Sequence, residues 1–132
     1  MTKIAFVCVG NAGRSQIATA LAERERDNRG LDIEILTGGV NPADSVHDDV
    51  IEALQEDGID ISDREPCEIT PADIEDATHV VTMGCSVEQF QPDGWSGESE
   101  VWDLDASDTR AQVDELKRRV SRFFDGLSEE EQ

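Results

Sequence analysis

Residues Lys3 to Val7 form a short apolar run that stops at a loop carrying Gly10 and Gly13, and a helical apolar stripe of Ile17, Ala18, Ala20 and Leu21 follows. A continuous apolar run bounded by glycines reads as a strand buried on both faces. A strand, a tight loop and a helix in that order form the first half of a βαβ unit, which confines the chain to folds built on a parallel sheet. Ser15 is placed to cap the helix, and Gly30 closes it. The pattern then repeats: Ile33 to Leu36 reads as a second strand ending at Gly38 and Gly39. Val46, Val50, Ile51 and Leu54 recur at helical spacing up to Gly58.

Residues 59–69 read as a loop, and Thr70 before Pro71 predicts an N-cap and a short helix to about Ala77. His79 to Met83 is a third strand and Ser99 to Trp102 a weaker fourth. Val113, Leu116, Val120, Phe123, Phe124 and Leu127 mark an amphipathic C-terminal helix. Residues 1–127 are thus expected to form a single α/β domain with helices on both faces of the sheet, and residues 128–132 a frayed acidic tail. No internal repeat or linker interrupts it.

Composition narrows the functional classes. The chain has 31 acidic against 11 basic residues and a formal charge of −20. Such a surface repels nucleic acid and anionic membranes. The acids lie within segments that keep regular apolar periodicity, so they read as a solvated folded surface rather than a disordered block. A salt-rich cytoplasm accounts for them, because at about 1 M salt the Debye length is roughly 3 Å and self-repulsion is screened. No apolar run approaches the roughly 20 residues needed to span a bilayer, and the N-terminus lacks a secretory pattern. Cys8, Cys67 and Cys85 form neither a disulfide framework nor a CxxC pair, His47 and His79 lack ligand spacing with them, and no metal is expected. Cytoplasmic thiol chemistry is the expectation.

The loop Cys8-Val9-Gly10-Asn11-Ala12-Gly13-Arg14-Ser15 carries that chemistry. At the junction of a strand and a helix N-terminus, successive backbone N–H groups and the positive end of the helix converge on one point, a natural oxyanion site. Gly10 and Gly13 permit close approach and positive φ, Asn11 tolerates left-handed backbone, and Arg14 supplies a planar fork for two oxygens of a phosphate-like group. The same field favours Cys8 as a thiolate, and Ser15 can donate a hydrogen bond to it. The site therefore binds a tetrahedral anion and presents a nucleophile to it.

FVCVGNAGRSQIA resembles the phosphate loop of the low-molecular-weight protein tyrosine phosphatase and thiol-coupled arsenate reductase family. GIDIS at 58–62, THVVTMGC at 78–85 and VWDLD at 101–105 follow in that family's order and spacing. The resemblance covers nearly the whole chain. It implies a phosphatase I-like fold with a four-stranded parallel sheet in the order 2-1-3-4. It also implies catalysis by Cys8 and Arg14 with an Asp that protonates the leaving oxygen. Asp105 is the first choice for that acid, Asp108 the next and Asp103 the last, since WDLDASD lacks the proline that usually follows the family's Asp.

Phosphatases of the family finish with water, whereas reductases finish with a second thiol that attacks the arsenic-bearing cysteine. If strand 3 lies beside strand 1, Cys8 and Cys85 follow the C-terminal ends of neighbouring strands about 4.8 Å apart, where such sheets bind ligands. Gly84 then lets the pair reach disulfide geometry. VVTMGC is similar to the reductase branch, and a chain without tyrosine lacks the aromatic residues that grip aryl phosphates in the other. Trp95 and Trp102 remain as an aromatic wall or as core. The expected activity is arsenate reduction, with a tyrosine or other phosphomonoester phosphatase as the second reading and an idle oxyanion-binding module as the third. Thioredoxin-coupled relatives carry a third cysteine, and SVEQFQP has none. An external thiol reductant, such as a thioredoxin- or glutaredoxin-like protein, is therefore the expected partner, no other cofactor is expected, and Cys67 reads as structural.

Overall fold

The computed structural model describes residues 2–104 and 108–130, the side chains of 128–130 excepted. Strand β1 spans Thr2–Cys8, helix α1 Arg14–Arg29, β2 Ile33–Gly39, α2 Asp48–Glu56, α3 Pro71–Ile74, β3 His79–Met83, β4 Glu98–Val101 and α4 Thr109–Glu130. The four strands form one sheet in the order β2-β1-β3-β4, and every pairing is parallel. The sheet matches the expected topology.

Alternation along β1 builds the two faces. Ile4, Phe6 and Cys8 join a core with Ile17 and Leu21 of α1, Val50 and Leu54 of α2, and Leu116, Val120 and Phe124 of α4. Ala5 and Val7 point the other way, into a smaller core with Ile69, Ile74, Val80 and Phe90. A strand covered on both faces has no solvent side to keep polar, which is why residues 4–7 are apolar without a break. Trp102 belongs to the larger core, with its ring 5.8 Å from Phe6 and 5.9 Å from Phe123. Trp95 packs against the smaller core and donates its indole N–H to the Ala77 carbonyl at 3.0 Å.

Several boundaries differ from expectation. The N-cap of α1 is Gly13 rather than Ser15, which lies within the first turn with its side chain buried. β2 runs on through Gly39, paired with β1 as far as Cys8, and residues 67–69 add a bridge at its end: Gly39 N–H donates to the Cys67 carbonyl at 2.9 Å and Ile69 N–H to that of Gly39 at 3.0 Å. α3 stops at Ile74, held at its start by a capping box between Thr70 and Asp73. β4 is shifted one residue earlier than expected, and the backbone of α4 stays helical to Glu130. Among the described residues no helix is long and apolar enough to cross a membrane.

Charge ties α2 to α4. Asp57, just beyond the C-terminal end of α2, sits where the helix dipole disfavours an anion. It is held there by Lys117 Nζ at 2.8 Å and Arg110 Nη2 at 2.9 Å. Lys117 and then Arg110 keep its carboxyl below the usual carboxylate range. A depressed acid stabilises the fold above its unfolded pKa of about 3.9, and that contribution is lost as pH falls through the folded value. Asp57→Asn should therefore cost about 1 kcal/mol at neutral pH, the modest size expected of a pair that water still reaches. Denaturant titrations of both proteins should converge as the pH drops below the carboxylate range. A gap that persists there would assign the effect to something other than charge.

Eleven basic groups cannot neutralise 31 acidic ones. The thermal unfolding midpoint should accordingly rise steeply from dilute buffer to molar KCl as repulsion is screened. A flat or falling midpoint would contradict this reading of the surface.

Candidate active site

Cys8 ends β1, opposite Gly39 of β2 on one side and Met83 of β3 on the other. Its side chain is buried, and its sulfur lies 2.9 Å from Ser15 Oγ and accepts the Asn11 N–H at 3.2 Å. The direction of the serine bond follows from its neighbours. Thr37 Oγ1 donates to the Phe6 carbonyl at 2.9 Å and accepts one Asn11 amide hydrogen at 2.8 Å. The other Asn11 amide hydrogen goes to Ser15 Oγ at 2.7 Å. Asn11 Oδ1 is identified independently, because it accepts the backbone N–H of Cys67 at 3.0 Å. Ser15 Oγ is thus an acceptor toward Asn11 and has its own hydrogen to give to Cys8. Two donors are therefore aimed at the Cys8 sulfur.

Asn11 is fully buried and, among the described residues, the one non-glycine with positive φ, at 52°. Gly10 and Gly13, which permit positive φ, do not use it. The loop is braced from outside by the segment that joins β2 to α2. The carbonyls of Cys8, Val9, Gly10 and Ala12 accept from the N–H groups of Val40, Asn41, Ala43 and His47 at 2.9–3.3 Å. With the carbonyls turned outward, the loop amides are the groups available to an anion. Gly39 permits this close approach, since a Cβ there would stand 2.6 Å from the Val9 carbonyl oxygen.

A cavity of about 330 Å³ opens over Cys8 and is lined also by Gly13, Arg14, His47, Asp49, Thr109 and Gln112. No Phe, Trp or Tyr side chain is among its described lining residues, and both tryptophans are engaged elsewhere. A 360 Å³ cavity between β4 and α4, lined by His79, Glu98 and Arg119, holds no cysteine.

Beyond β3 the chain turns at Gly84, with φ of 80°, and a Cβ there would lie 2.7 Å from Arg14 Nη2. Arg14 therefore passes directly against the residue that precedes Cys85. The Cys85 thiol is half-buried, 3.8 Å from the Val7 carbonyl. Burial pushes it up, charge on Cys8 adds to that, and a backbone hydrogen bond and Arg14 pull the other way. All three cysteines are free thiols.

Cys67 lies nearer the loop than the sequence suggested. Its N–H holds Asn11, and its sulfur is 3.1 Å from the Thr37 carbonyl. Burial and then Asp73 raise its thiol above the ordinary range. Of the three aspartates considered as acids, Asp108 caps α4 by accepting the Ala111 N–H at 2.8 Å. Asp103 is exposed, with its carbonyl accepting from Arg119 at 2.9 Å. Asp105 lies outside the described residues. Sequence reading missed His47 and Asp49 as pocket residues: no motif marks them, and they reach the pocket only because the segment leading into α2 is hydrogen-bonded to the Cys8 loop and α2 itself packs on α4. Among the described residues no three His, Cys, Asp or Glu side chains gather as a metal site.

Cys8 and Arg14 thus stand on a C-x5-R-S loop at the end of a central parallel strand and the start of a helix, an arrangement suited to a thiol and an oxyanion. Residues 3–94 match the family described as low molecular weight phosphotyrosine protein phosphatase, and the chain belongs to that family. A putative arsenate reductase of Halobacterium salinarum is 45% identical, over 94% of this chain and 92% of that protein. Among solved structures, the thioredoxin-dependent arsenate reductase Cg_ArsC1' of Corynebacterium glutamicum superposes with a TM-score of 0.82 at 32% identity. That match covers 97% of this chain and 62% of the Corynebacterium chain. The YwlE arginine phosphatase of Geobacillus stearothermophilus gives 0.79 at 28% identity, over 98% of this chain and 95% of its own.

Proposed function

We propose that the protein is an arsenate reductase whose two working thiols are Cys8 and Cys85. The observation that carries the reading is the second thiol: Cys85 follows the strand beside that of Cys8, next to the glycine against which Arg14 lies. Arsenate sits in the cradle of residues 9–15 with two oxygens on Arg14. The Cys8 thiolate attacks arsenic, an As–O bond breaks, and the departing oxygen leaves as water after taking a proton from Asp105. Cys85, as thiolate, then attacks the Cys8 sulfur. The S–As pair passes to arsenic, which falls from As(V) to As(III) and leaves as arsenite, and a Cys8–Cys85 disulfide remains.

Consuming the negative charge of Cys8 removes one of the influences that keep Cys85 protonated, so the second thiol gains nucleophilicity once the first has reacted. An external thiol reductant closes the cycle directly on this disulfide. Phe90, where a relay cysteine would be sought, is instead buried in the smaller core. The same reading places the enzyme in the cytoplasm, where thiols are kept reduced.

The second reading, a phosphomonoester phosphatase, draws on the same Cys8 and Arg14. The lack of Phe, Trp and Tyr among the described lining residues disfavours aryl substrates. Arsenate-dependent oxidation of a reduced thioredoxin-type protein, run beside aryl phosphate hydrolysis in molar KCl, decides between them. Reductase activity that dominates supports the proposal, and hydrolysis alone would replace it.

A further inference from the structure

Helix formation gives no reason for a histidine at position 47. It is the N-cap of α2, where Asn, Asp, Ser or Thr would accept a backbone hydrogen bond, and the imidazole makes no such bond. Its backbone is fixed to the nucleophile loop, with His47 N–H donating to the Ala12 carbonyl at 3.0 Å. The ring lies along Gly13, where an added Cβ would stand 3.5 Å from Nδ1. With Arg14 it supplies the basic side chains among the described residues that line the cavity over Cys8.

We propose that His47 is a further oxyanion-binding residue, donating an imidazole N–H to a substrate oxygen that Arg14 and the loop amides leave at the cavity mouth. The inference rests on the oxyanion chemistry proposed above, and it adds the side chain of the α2 N-cap to an oxyanion cradle otherwise built from the loop between β1 and α1. A tetrahedral anion has four oxygens, and the planar fork of Arg14 engages two of them. In a protein of charge −20 a second basic group at the entrance also offsets the acidic surface an incoming anion must cross. Asp49, the carboxylate among the described lining residues, is held below the usual range first by the Thr109 hydroxyl and last by the charge of His47. The carboxylate that accompanies His47 is thus engaged by α4 rather than left to repel substrate.

His47→Asn tests this, because asparagine is a favoured N-cap and keeps the helix intact. The probe is inorganic phosphate, titrated calorimetrically in molar KCl, so that binding is read without any redox step. Its dissociation constant should rise about five- to tenfold, the size expected when one hydrogen bond to a charged ligand is lost at a water-accessible rim. The KM for arsenate should rise by the same factor, with kcat within about twofold of wild type. His47→Gln, which retains an N–H donor with longer reach, should recover at least half of the lost affinity. Phosphate affinity unchanged in His47→Asn would overturn the inference, as would a fall in kcat without a change in affinity. Failure of the reductase reading would show separately, as wild-type protein that binds phosphate but does not turn over arsenate.

Discussion

Cys8→Ser is expected to lose arsenate turnover by at least about a thousandfold, the scale seen when a covalent nucleophile is removed, while still binding inorganic phosphate. The cradle does not depend on the sulfur for its shape. Its carbonyls are pinned by the amides of residues 40–47, and Asn11 is held by Thr37, Gln16 and Cys67. What disappears is the nucleophile. The groups described at the sulfur are the Ser15 hydroxyl and the Asn11 N–H. Both are donors, with no means of taking a proton from a serine hydroxyl. Single-turnover assays for arsenite, paired with phosphate titration, check both halves. Turnover above about one per cent of wild type would place the chemistry on another residue. Loss of phosphate binding would make Cys8 part of the cradle's architecture.

Much of this arrangement was legible in the sequence because it is local. Four consecutive apolar residues, Ile4 to Val7, before a glycine-bearing loop read as a strand covered on both faces, and His79–Met83 was delimited by the same reasoning. The loop was legible for the same reason, since its nucleophile, backbone turn and arginine fall within eight positions. Ser15 shows where local rules mislead. Serine's preference for N-caps is an average over helices, and at this junction the helix begins two residues sooner, at Gly13. That turns the serine hydroxyl inward to the sulfur. His47, Asp49 and Cys67 were illegible for a different reason. They stand 39, 41 and 59 positions from Cys8 in sequence and reach the site only through the packing of α2 and the parallel bridge at Gly39. Nothing in their own neighbourhoods records that contact. The tryptophans lay between these cases: either could have faced the pocket, and the ring cluster with Phe6 and Phe123 decided for Trp102.

Cys85→Ser separates the two activities that one loop can support. In this variant Cys8 should still attack arsenate, because the cradle, Arg14 and both donors to the Cys8 sulfur lie outside the substitution. The cycle should then stop before arsenite release, with multiple-turnover reduction falling at least about a hundredfold, since no internal thiolate remains to attack the Cys8 sulfur. Hydrolysis of a phosphate ester by the same protein should stay within about twofold of wild type, because water rather than Cys85 completes that reaction. The serine is close in size to the cysteine, and the site is only half-buried, so the fold should tolerate it. Mass spectrometry of wild type after arsenate treatment supplies the complement: a Cys8–Cys85 disulfide, with Cys67 alkylated as a free thiol. The thiol of Cys67 faces the Thr37 carbonyl on the far side of Asn11 from the Cys8 sulfur, which is why it should not compete. If Cys85→Ser turned over arsenate at the wild-type rate with a protein reductant and no small thiol, Cys85 would not be the resolving residue. A Cys8–Cys67 disulfide in the same digest would transfer that role to Cys67, and the absence of any disulfide would return the enzyme to the hydrolytic branch of its family.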